Sequence, residues 1–247
     1  LVKLDPADAR VALEQADPRA LMDRVRHPGS PLHALWGAAK AFVRNPVAVL
    51  STLATVVAGT WRSPSVLAKS LAAWLRGLEH IDWLRDFDPQ VLHAHWATYP
   101  STAAWTLSRV LRLPFGFTCH AHDIFIERQL IARKIQDAAV AVTISRFNVD
   151  WLSQRETAQA REKLQVIHCG VDLRANPWQP DGRAPQQILT VGRLDPIKGF
   201  ATLVEALALL AQRGVDFQCR LLGSGPLDAS LRSLAQARRV AGRVEVW

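Results

Sequence analysis

One segment of the sequence combines a tight turn with two cations that could grip a diphosphate. Gly192 and Arg193 end an apolar run, and Lys198 precedes a helical pattern that begins after Gly199. Glycine lets the backbone approach a ligand, an arginine fork binds phosphate oxygens in pairs, and lysine adds a mobile point charge. A helix that starts here would direct its positive N-terminal end at the same anion. The combination predicts a diphosphate site, whereas the arginine and the lysine taken singly would fit an ordinary surface loop better.

A second glycine turn lies between the next apolar run and the next helical pattern. It consists of Gly223, Ser224 and Gly225. Turns of this kind often face nucleotides, but glycine turns before helices are common, so this turn alone is a weak signal. Together with the first segment it predicts a nucleotide-facing loop.

Polar side chains also follow the apolar runs in the first part of the sequence. In open parallel sheets the ligand crevice lies beyond the carboxyl ends of the strands, so such residues have a physical reason to line a cleft between two domains. The candidates for this cleft are His95, His120, His122, Asp123, Ser145 and Asp172. Asp123 and Ser145 would equally suit helix caps, and Asp172 a plain turn. We expect His93, which alternates inward along its strand, to be a hydrogen-bonded core or rim residue.

The histidines also imitate a metal centre. His93-X-His95 and His120-X-His122 have spacings found among transition-metal ligands, so a metal-dependent hydrolase is an alternative function. Barrel hydrolases need about eight strand-helix units, and a long helical stretch precedes the first clear strand here. We therefore expect no metal, and stoichiometric metal in the purified protein would favour the alternative.

Short apolar runs alternate with helical patterns from Gln90 onward, which predicts an α/β fold with doubly wound parallel sheets. The predicted strands are 91–94, 115–119, 138–143, 165–169, 187–191, 217–222 and 244–247. The predicted helices between them are 101–112, 124–136, one from Arg146, 200–213 and one after Pro226. Earlier helices are expected at 7–15, within the apolar stretch 32–59, and from Ser63-Pro64 to near Gly77.

The spacing of turn residues divides the chain. Residues 171–186 are rich in proline and show little periodicity, which is typical of a linker. We therefore predict a Rossmann-like domain at 1–172 with a helical part at 32–80, a linker at 173–186, and the first half of a second Rossmann-like domain at 187–247.

The composition favours a globular protein with reduced thiols. Of the 247 residues, 49% are hydrophobic, which is enough for one large or two modest domains. The cysteines, Cys119, Cys169 and Cys219, lie far apart in apolar surroundings, so we expect buried thiols. No export signal follows Leu1, which favours a cytoplasmic location. The net charge of +8 could suit nucleic acid, but no nucleic-acid motif is present and we expect no such partner.

The distribution of charge singles out residues 24–78. No acidic residue lies between Asp23 and Glu79, while this stretch contains Arg24, Arg26, Lys40, Arg44, Arg62, Lys69 and Arg76. The uncharged run from Asn45 to Trp61 is shorter than the roughly 20 residues that span a bilayer. The pattern favours an interfacial helix on an anionic membrane surface. The alternative is that these helices only pack on the first domain with their basic edges in water.

Several segments together resemble a known enzyme family. The donor-site signature of family 4 of the retaining GT-B glycosyltransferases is similar to residues 167–172, 192–199, 205–206 and 223–227. Residues 91–96 and 117–124 resemble the colanic-acid or exopolysaccharide branch of that family. The resemblance covers roughly residues 30–247.

The resemblance implies a GT-B fold whose second domain holds a nucleoside diphosphate sugar, with Gly192, Arg193 and Lys198 at its diphosphate. His120 matches the histidine that the family places beside the transferring sugar. The implied reaction moves a hexose with retention to a glycan or lipid-linked acceptor, with the leaving phosphate taking the acceptor's proton and without a metal. A role in exopolysaccharide or cell-envelope polysaccharide synthesis, in the cytoplasm or on the inner face of the plasma membrane, would follow.

Two family features are not found in the sequence, the pair of glutamates in the second domain and the glycine-rich loop of the first domain. We therefore expect a fragment that lacks both ends of the enzyme and does not turn over alone. A non-catalytic fragment that only binds a sugar nucleotide is a further alternative.

Overall fold

The computed structural model describes residues 25–175, 177, 182 and 184–247. The helix predicted at 7–15 and part of the predicted linker lie outside these residues. The chain divides into two compact units, with the boundary between Gly170 and Val171.

Helices form the first part of unit 1. They are α1 (Pro31–Arg44), α2 (Pro46–Thr60), α3 (Pro64–Glu79) and α4 (Ile81–Phe87). The apolar stretch expected to be helical is broken between α1 and α2, because Pro46 lacks the N–H that a continuing helix would need. The side chain of Asn45 instead accepts a hydrogen bond from the N–H of Ala48 at 3.3 Å and caps α2. Helix α4 is an element that the sequence analysis did not predict.

A parallel sheet with the strand order β1-β2-β3-β4 follows these helices. Its strands and helices are β1 (Leu92–His95), α5 (Tyr99–Leu111), β2 (Phe115–Cys119), α6 (His122–Phe125), α7 (Ile131–Asp137), β3 (Val140–Thr143), α8 (Arg146–Arg155), α9 (Ala160–Lys163) and β4 (Leu164–Val166). The helix predicted at 124–136 is therefore divided into α6 and α7. Leu130 between them has φ 59°, a left-handed conformation that a continuous helix cannot contain.

The packing of unit 1 is layered. Helix α5 packs on β1 and β2, α3 packs on α5, and α1 and α2 pack on α3. The core beneath these layers includes Trp105, whose indole N–H donates to Asp137 at 2.8 Å, and the stacked rings of Phe115 and Phe117. Helix α2 also contacts α5 directly.

Unit 2 contains a parallel sheet of strands β5 (Gln187–Val191), β6 (Gln218–Leu222) and β7 (Val244–Val246), in that order. Helix α10 (Phe200–Gln212) connects β5 to β6, and α11 (Asp228–Ala237) connects β6 to β7. Leu194, Phe200 and Val204 belong to its buried core. These elements agree closely with the predicted ones, because their apolar runs are short and are bounded by glycine or proline.

The cysteines differ from the prediction at one position. Cys119 and Cys219 are buried thiols, but Cys169 is exposed beside the boundary between the units. Its predicted strand ends early, since β4 stops at Val166 and leaves Cys169 in a loop.

Candidate functional site

Two predicted histidines meet at the carboxyl end of the sheet in unit 1. His95 ends β1 and His120 follows β2, and their Nε2 atoms are 2.7 Å apart. One nitrogen must donate and the other accept, so at least one of these rings is neutral in this arrangement. The indole of Trp96 lies beside them, with its centroid 5.2 Å from that of His120. We call His95, Trp96 and His120 the strand-end cluster.

The backbone at the strand-end cluster is strained. Trp96 has φ 85°, a value that favours glycine, although its N–H still donates to the carbonyl of Thr118 at 2.8 Å. A non-glycine residue held in this region costs about 1–3 kcal/mol and persists only where the surroundings fix it. Such strain concentrates at functional sites.

Asp123 forms hydrogen bonds with both the loop that follows β1 and the loop that follows β2. Its carboxylate is fully buried and accepts hydrogen bonds from the N–H groups of Ala97 at 2.7 Å and His120 at 2.8 Å. The expectation that Asp123 faces a cleft is therefore wrong in this structure. The alternative of a helix cap is also wrong, because Asp123 lies inside α6 and no side chain caps that helix. Its charge instead serves two backbone donors.

Lys134 is a second buried charge in this region, and its burial was not predicted from the sequence. Its ammonium donates to the carbonyl oxygens of Ala97 at 2.8 Å and Thr98 at 2.7 Å, and to Gln129 at 3.2 Å. Burial lowers the pKa of Lys134 to about 7, against the attraction of the Asp123 carboxylate. The sequence carried a signal, because helical spacing puts Lys134 on the same face as Ile131.

The backbone segment after β1 is thus held by side chains at both its N–H and its carbonyl groups. Asp123 takes the N–H of Ala97, while Lys134 takes the carbonyl oxygens of Ala97 and Thr98. Few backbone segments are held by two buried side-chain charges of opposite sign, because burying each charge is costly unless it is paired and hydrogen-bonded. This clamp explains how the strained conformation of Trp96 is maintained.

Asn148 completes the support of His120. Its side-chain amide donates to the carbonyl oxygen of His120 at 3.3 Å and to Thr143 Oγ1 at 2.9 Å. Ser145, a predicted cleft residue, accepts a hydrogen bond from the N–H of Asn148 at 3.3 Å and caps α8. The structure thus gives Ser145 the role of a helix cap, the alternative considered from the sequence. His120 is held at its N–H, its carbonyl and its ring.

The remaining histidines do not complete a metal centre. His93 is exposed, so its predicted inward orientation is wrong, but its Nε2 lies 3.0 Å from Thr118 Oγ1, which agrees with the predicted hydrogen-bonded rim residue. His122 is exposed at the start of α6. Within the described part of the chain, no group of three or more His, Cys, Asp or Glu side chains could hold a metal ion. The metal-dependent hydrolase is therefore not favoured.

The two glycine loops of unit 2 run side by side. The N–H of Gly192 donates to Leu222 at 3.0 Å, and that of Leu194 donates to Ser224 at 2.9 Å. A Cβ atom at Gly223 would lie 1.9 Å from the carbonyl oxygen of Gly192, and one at Gly225 would lie 2.4 Å from that of Leu194. Glycine is required at both positions because no side chain fits between the loops. The two predicted nucleotide segments therefore form one structure.

Both predicted phosphate-binding cations are accessible on this structure. Arg193 is exposed, with Nε 3.7 Å from Asp195 Oδ2. Lys198 is exposed in a 3-10 turn, Pro196–Lys198, and has no ion pair with a carboxylate among the residues described. Gly199 has φ 70° and precedes α10, whose first turn has no side-chain cap. The N–H groups at the start of α10 could therefore bind an anion, and Arg193 and Lys198 lie in the loop that precedes this helix.

Asp172 lies in unit 2, just after the boundary. It is exposed, and its Oδ1 accepts hydrogen bonds from the N–H groups of Arg174 at 2.8 Å and Ala175 at 3.4 Å. This is the geometry of an Asx turn, as the turn alternative from the sequence implied.

Comparison with known families decides the relationship of the chain. A sequence model described as Glycosyltransferase Family 4 matches residues 38–175, and one described as Glycosyl transferases group 1 matches residues 179–247. The chain belongs to glycosyltransferase family 4. This family 4 chain has parallel sheets covered by helices, the architecture of GT-B enzymes.

Curated relatives of this family 4 chain are named as glycosyltransferases. WcaL of Escherichia coli K12, provisionally named a colanic acid biosynthesis glycosyltransferase, is 38% identical over 35% of this chain and 22% of its own length. The phosphatidyl-myo-inositol mannosyltransferase of Mycobacterium tuberculosis is 30% identical over 66% of this chain and 42% of its own. The chain therefore spans less than half the length of these relatives.

Solved structures agree on the fold. The lipopolysaccharide outer core galactosyltransferase WaaB superposes with a TM-score of 0.51 at 18% identity, over 71% of this chain and 49% of WaaB. A TarM mutant from S. aureus, solved with UDP, gives a TM-score of 0.51 at 11% identity, over 69% of this chain and 36% of TarM. At these identities the likeness concerns the fold alone.

Proposed function

We propose that this family 4 chain binds a nucleoside diphosphate sugar and serves the transfer of a hexose, with retention, to a glycan or lipid-linked acceptor. The observation that carries the proposal is the pair of interlocked glycine loops, which bring Gly223, Ser224 and Gly225 against Gly192. Arg193 and Lys198 stand exposed on the same structure. A departing diphosphate accumulates negative charge, so preorganised cations and helical N–H groups at this point would stabilise the transition state. We expect no metal at this site, because two side-chain cations would supply the positive charge.

The strand-end cluster supports a catalytic role for His120. In the proposed reaction its ring lies beside the transferring sugar, and the leaving phosphate accepts the proton of the acceptor. His120 is held at three points, which suits a side chain that must keep one orientation. His95 contacts its ring and would share this part of the site with the acceptor, together with His122.

Relatives support a role in surface polysaccharide synthesis. WcaL is named for colanic acid, and the mycobacterial relative is named for a mannosyl transfer to a phosphatidylinositol lipid. We infer a lipid-linked or glycan acceptor at the cytoplasmic face of the membrane, with residues 24–78 facing the lipid. Because the sequence lacks the glutamate pair that the family resemblance implies, we expect this chain to bind donor without turnover by itself.

Isothermal titration of the chain with UDP-glucose and GDP-mannose tests the donor site. Arg193→Ala and Lys198→Ala should each weaken binding of the preferred donor by about 10- to 150-fold, since a hydrogen bond to a charged group contributes about 1.5–3 kcal/mol. Arg213→Ala is the matched control, because Arg213 is an exposed arginine at the other end of α10. The proposal fails if both variants bind the donor as tightly as the control does.

A further inference from the structure

The helices α1 and α2 present large apolar side chains outward. These exposed residues, each at least 39% exposed and Val43 81% exposed, are Leu32, Leu35, Trp36, Phe42, Val43, Val47, Leu50, Val57 and Trp61, which directly follows α2. Their spacing follows the helical repeat, so each helix turns one continuous apolar face away from the protein. We call these two faces the outward face.

The inward sides of the same helices carry smaller or more polar residues. Helix α1 buries Ala34, Gly37 and Ala41. Helix α2 buries Thr52 and Thr60 together with two valines. An ordinary helix on a protein surface shows the opposite arrangement, with its large apolar residues inward and its polar residues in water. The arrangement therefore matches a medium outside the protein that is itself apolar.

The charges around the outward face indicate which medium this is. Neither helix contains Asp or Glu. Arg62 lies on the ring of Trp61 and has no ion pair with a carboxylate among the described residues. Lys40 and Arg44 share a single carboxylate, that of Asp82, so the C-terminal end of α1 keeps net positive charge. Basic residues beside exposed tryptophans suit the anionic headgroup layer of a bilayer.

The structure also changes the electrostatic interpretation made from the sequence. Lys69 is 3.7 Å from Glu127, and Arg76 is 2.9 Å from Glu79. Acidic residues beyond the stretch thus neutralise part of its positive charge. No helix in the described part of the chain is both long and apolar enough to cross a bilayer. The charge available to attract an anionic surface is therefore smaller than the sequence suggests, and the exposed apolar side chains contribute beside it.

We propose that the outward face of α1 and α2 docks this protein on an anionic membrane by inserting its apolar side chains among the lipid headgroups. The proposal deepens the membrane-facing part of the function proposed above. The helices that pack on the sheet of unit 1 are α5 and α8, and the large apolar side chains of α1 and α2 already face outward. These two helices can therefore enter the interface without disturbing the sheet. Docking would hold the strand-end cluster near an acceptor that is anchored in the same membrane.

Co-sedimentation with vesicles of phosphatidylcholine, with and without phosphatidylglycerol, tests the proposal. The triple variant Leu35→Gln/Val43→Gln/Val47→Gln should lower the fraction of protein bound to vesicles at least tenfold. Arg62→Gln should reduce only the additional binding that phosphatidylglycerol produces. The matched control is Val140→Gln/Leu189→Gln/Leu209→Gln, which removes exposed aliphatic groups elsewhere and should bind as wild type does. Circular dichroism confirms that each variant is folded.

The outcomes separate this surface from the donor site, because the assay contains neither donor nor acceptor. The proposal is overturned if the triple variant sediments as well as wild type, or if wild type ignores both vesicles. It is also overturned if wild type forms a dimer without lipid that the triple variant dissociates, since the face would then join two copies. A chain that docks normally but binds no sugar nucleotide would refute only the donor site.

Discussion

Replacing Lys134 by methionine tests whether a buried ammonium holds the loop beneath the strand-end cluster. Methionine keeps the length of the side chain but removes the donor from three backbone carbonyl oxygens. Burial lowers the pKa of Lys134 from 10.5 to about 7. At about 1.36 kcal/mol per pH unit, the charged form is disfavoured in the folded state by roughly 5 kcal/mol relative to the unfolded chain.

This difference fixes how stability depends on pH. Below about pH 7 both states hold the proton, so the contribution of Lys134 is constant there. Between about pH 7 and 10 the unfolded chain binds more protons than the folded one, so the free energy of unfolding rises with pH. Cys119 acts in the opposite sense above about pH 8.5, because burial raises the pKa of its thiol to about 12. The useful window is therefore about pH 7 to 8.5, with an expected gain of about 1.5 kcal/mol.

Urea unfolding followed by tryptophan fluorescence across this window measures the effect. Wild type should gain stability with pH, and Lys134→Met should lose that gain. Lys163→Met is the matched control, because Lys163 also donates to two backbone carbonyls, at 2.5 and 3.1 Å, but is exposed. Equal pH dependence in wild type and Lys134→Met would refute the assignment of a titrating buried ammonium.

Two further predictions concern the proposed donor and sugar sites. Gly223→Ala should lower the free energy of unfolding by at least about 2 kcal/mol and weaken donor binding. The control Gly242→Ala should do neither, because a Cβ atom at Gly242 meets nothing within 4 Å. An unchanged urea midpoint for Gly223→Ala would contradict the packing of the loops. His120→Ala should change stability by less than about 1 kcal/mol but reduce transfer at least tenfold, measured in an enzyme that also carries the glutamate pair. If that variant melts early while its folded fraction keeps full activity, His120 is structural.

The sequence predicted the parts of the molecule that glycine, proline and apolar periodicity control. The loops at Gly192 and Gly223 were identified because glycine turns stand between an apolar run and a helical pattern. The close approach of the two loops, which requires glycine at Gly223 and Gly225, was not predicted. The break at Leu130 was not predicted, since leucine seldom adopts a left-handed conformation and only tertiary packing imposes it. His93 was placed inward although it stands two residues from His95, and the two-residue period of a strand puts both on one side.

The burial of Asp123 and Lys134 was not predicted, for a different reason. Asp123 and Lys134 are far apart in the sequence from Ala97, whose N–H and carbonyl they bind, and no local pattern links them. A lysine on an apolar helical face was nevertheless a visible anomaly, because lysine is seldom fully buried without a partner.

The arrangement of the cysteines makes the chain selectively labelable. The thiols of Cys119 and Cys219 are covered by the protein, and burial raises the pKa of both. Cys169 is exposed one residue before the boundary between the two units. Because thiol reagents attack accessible thiolates, a fluorophore or spin label would attach at Cys169 and leave the other two untouched. The native sequence thus offers a spectroscopic reporter at the junction of its two units, without any cysteine having to be removed.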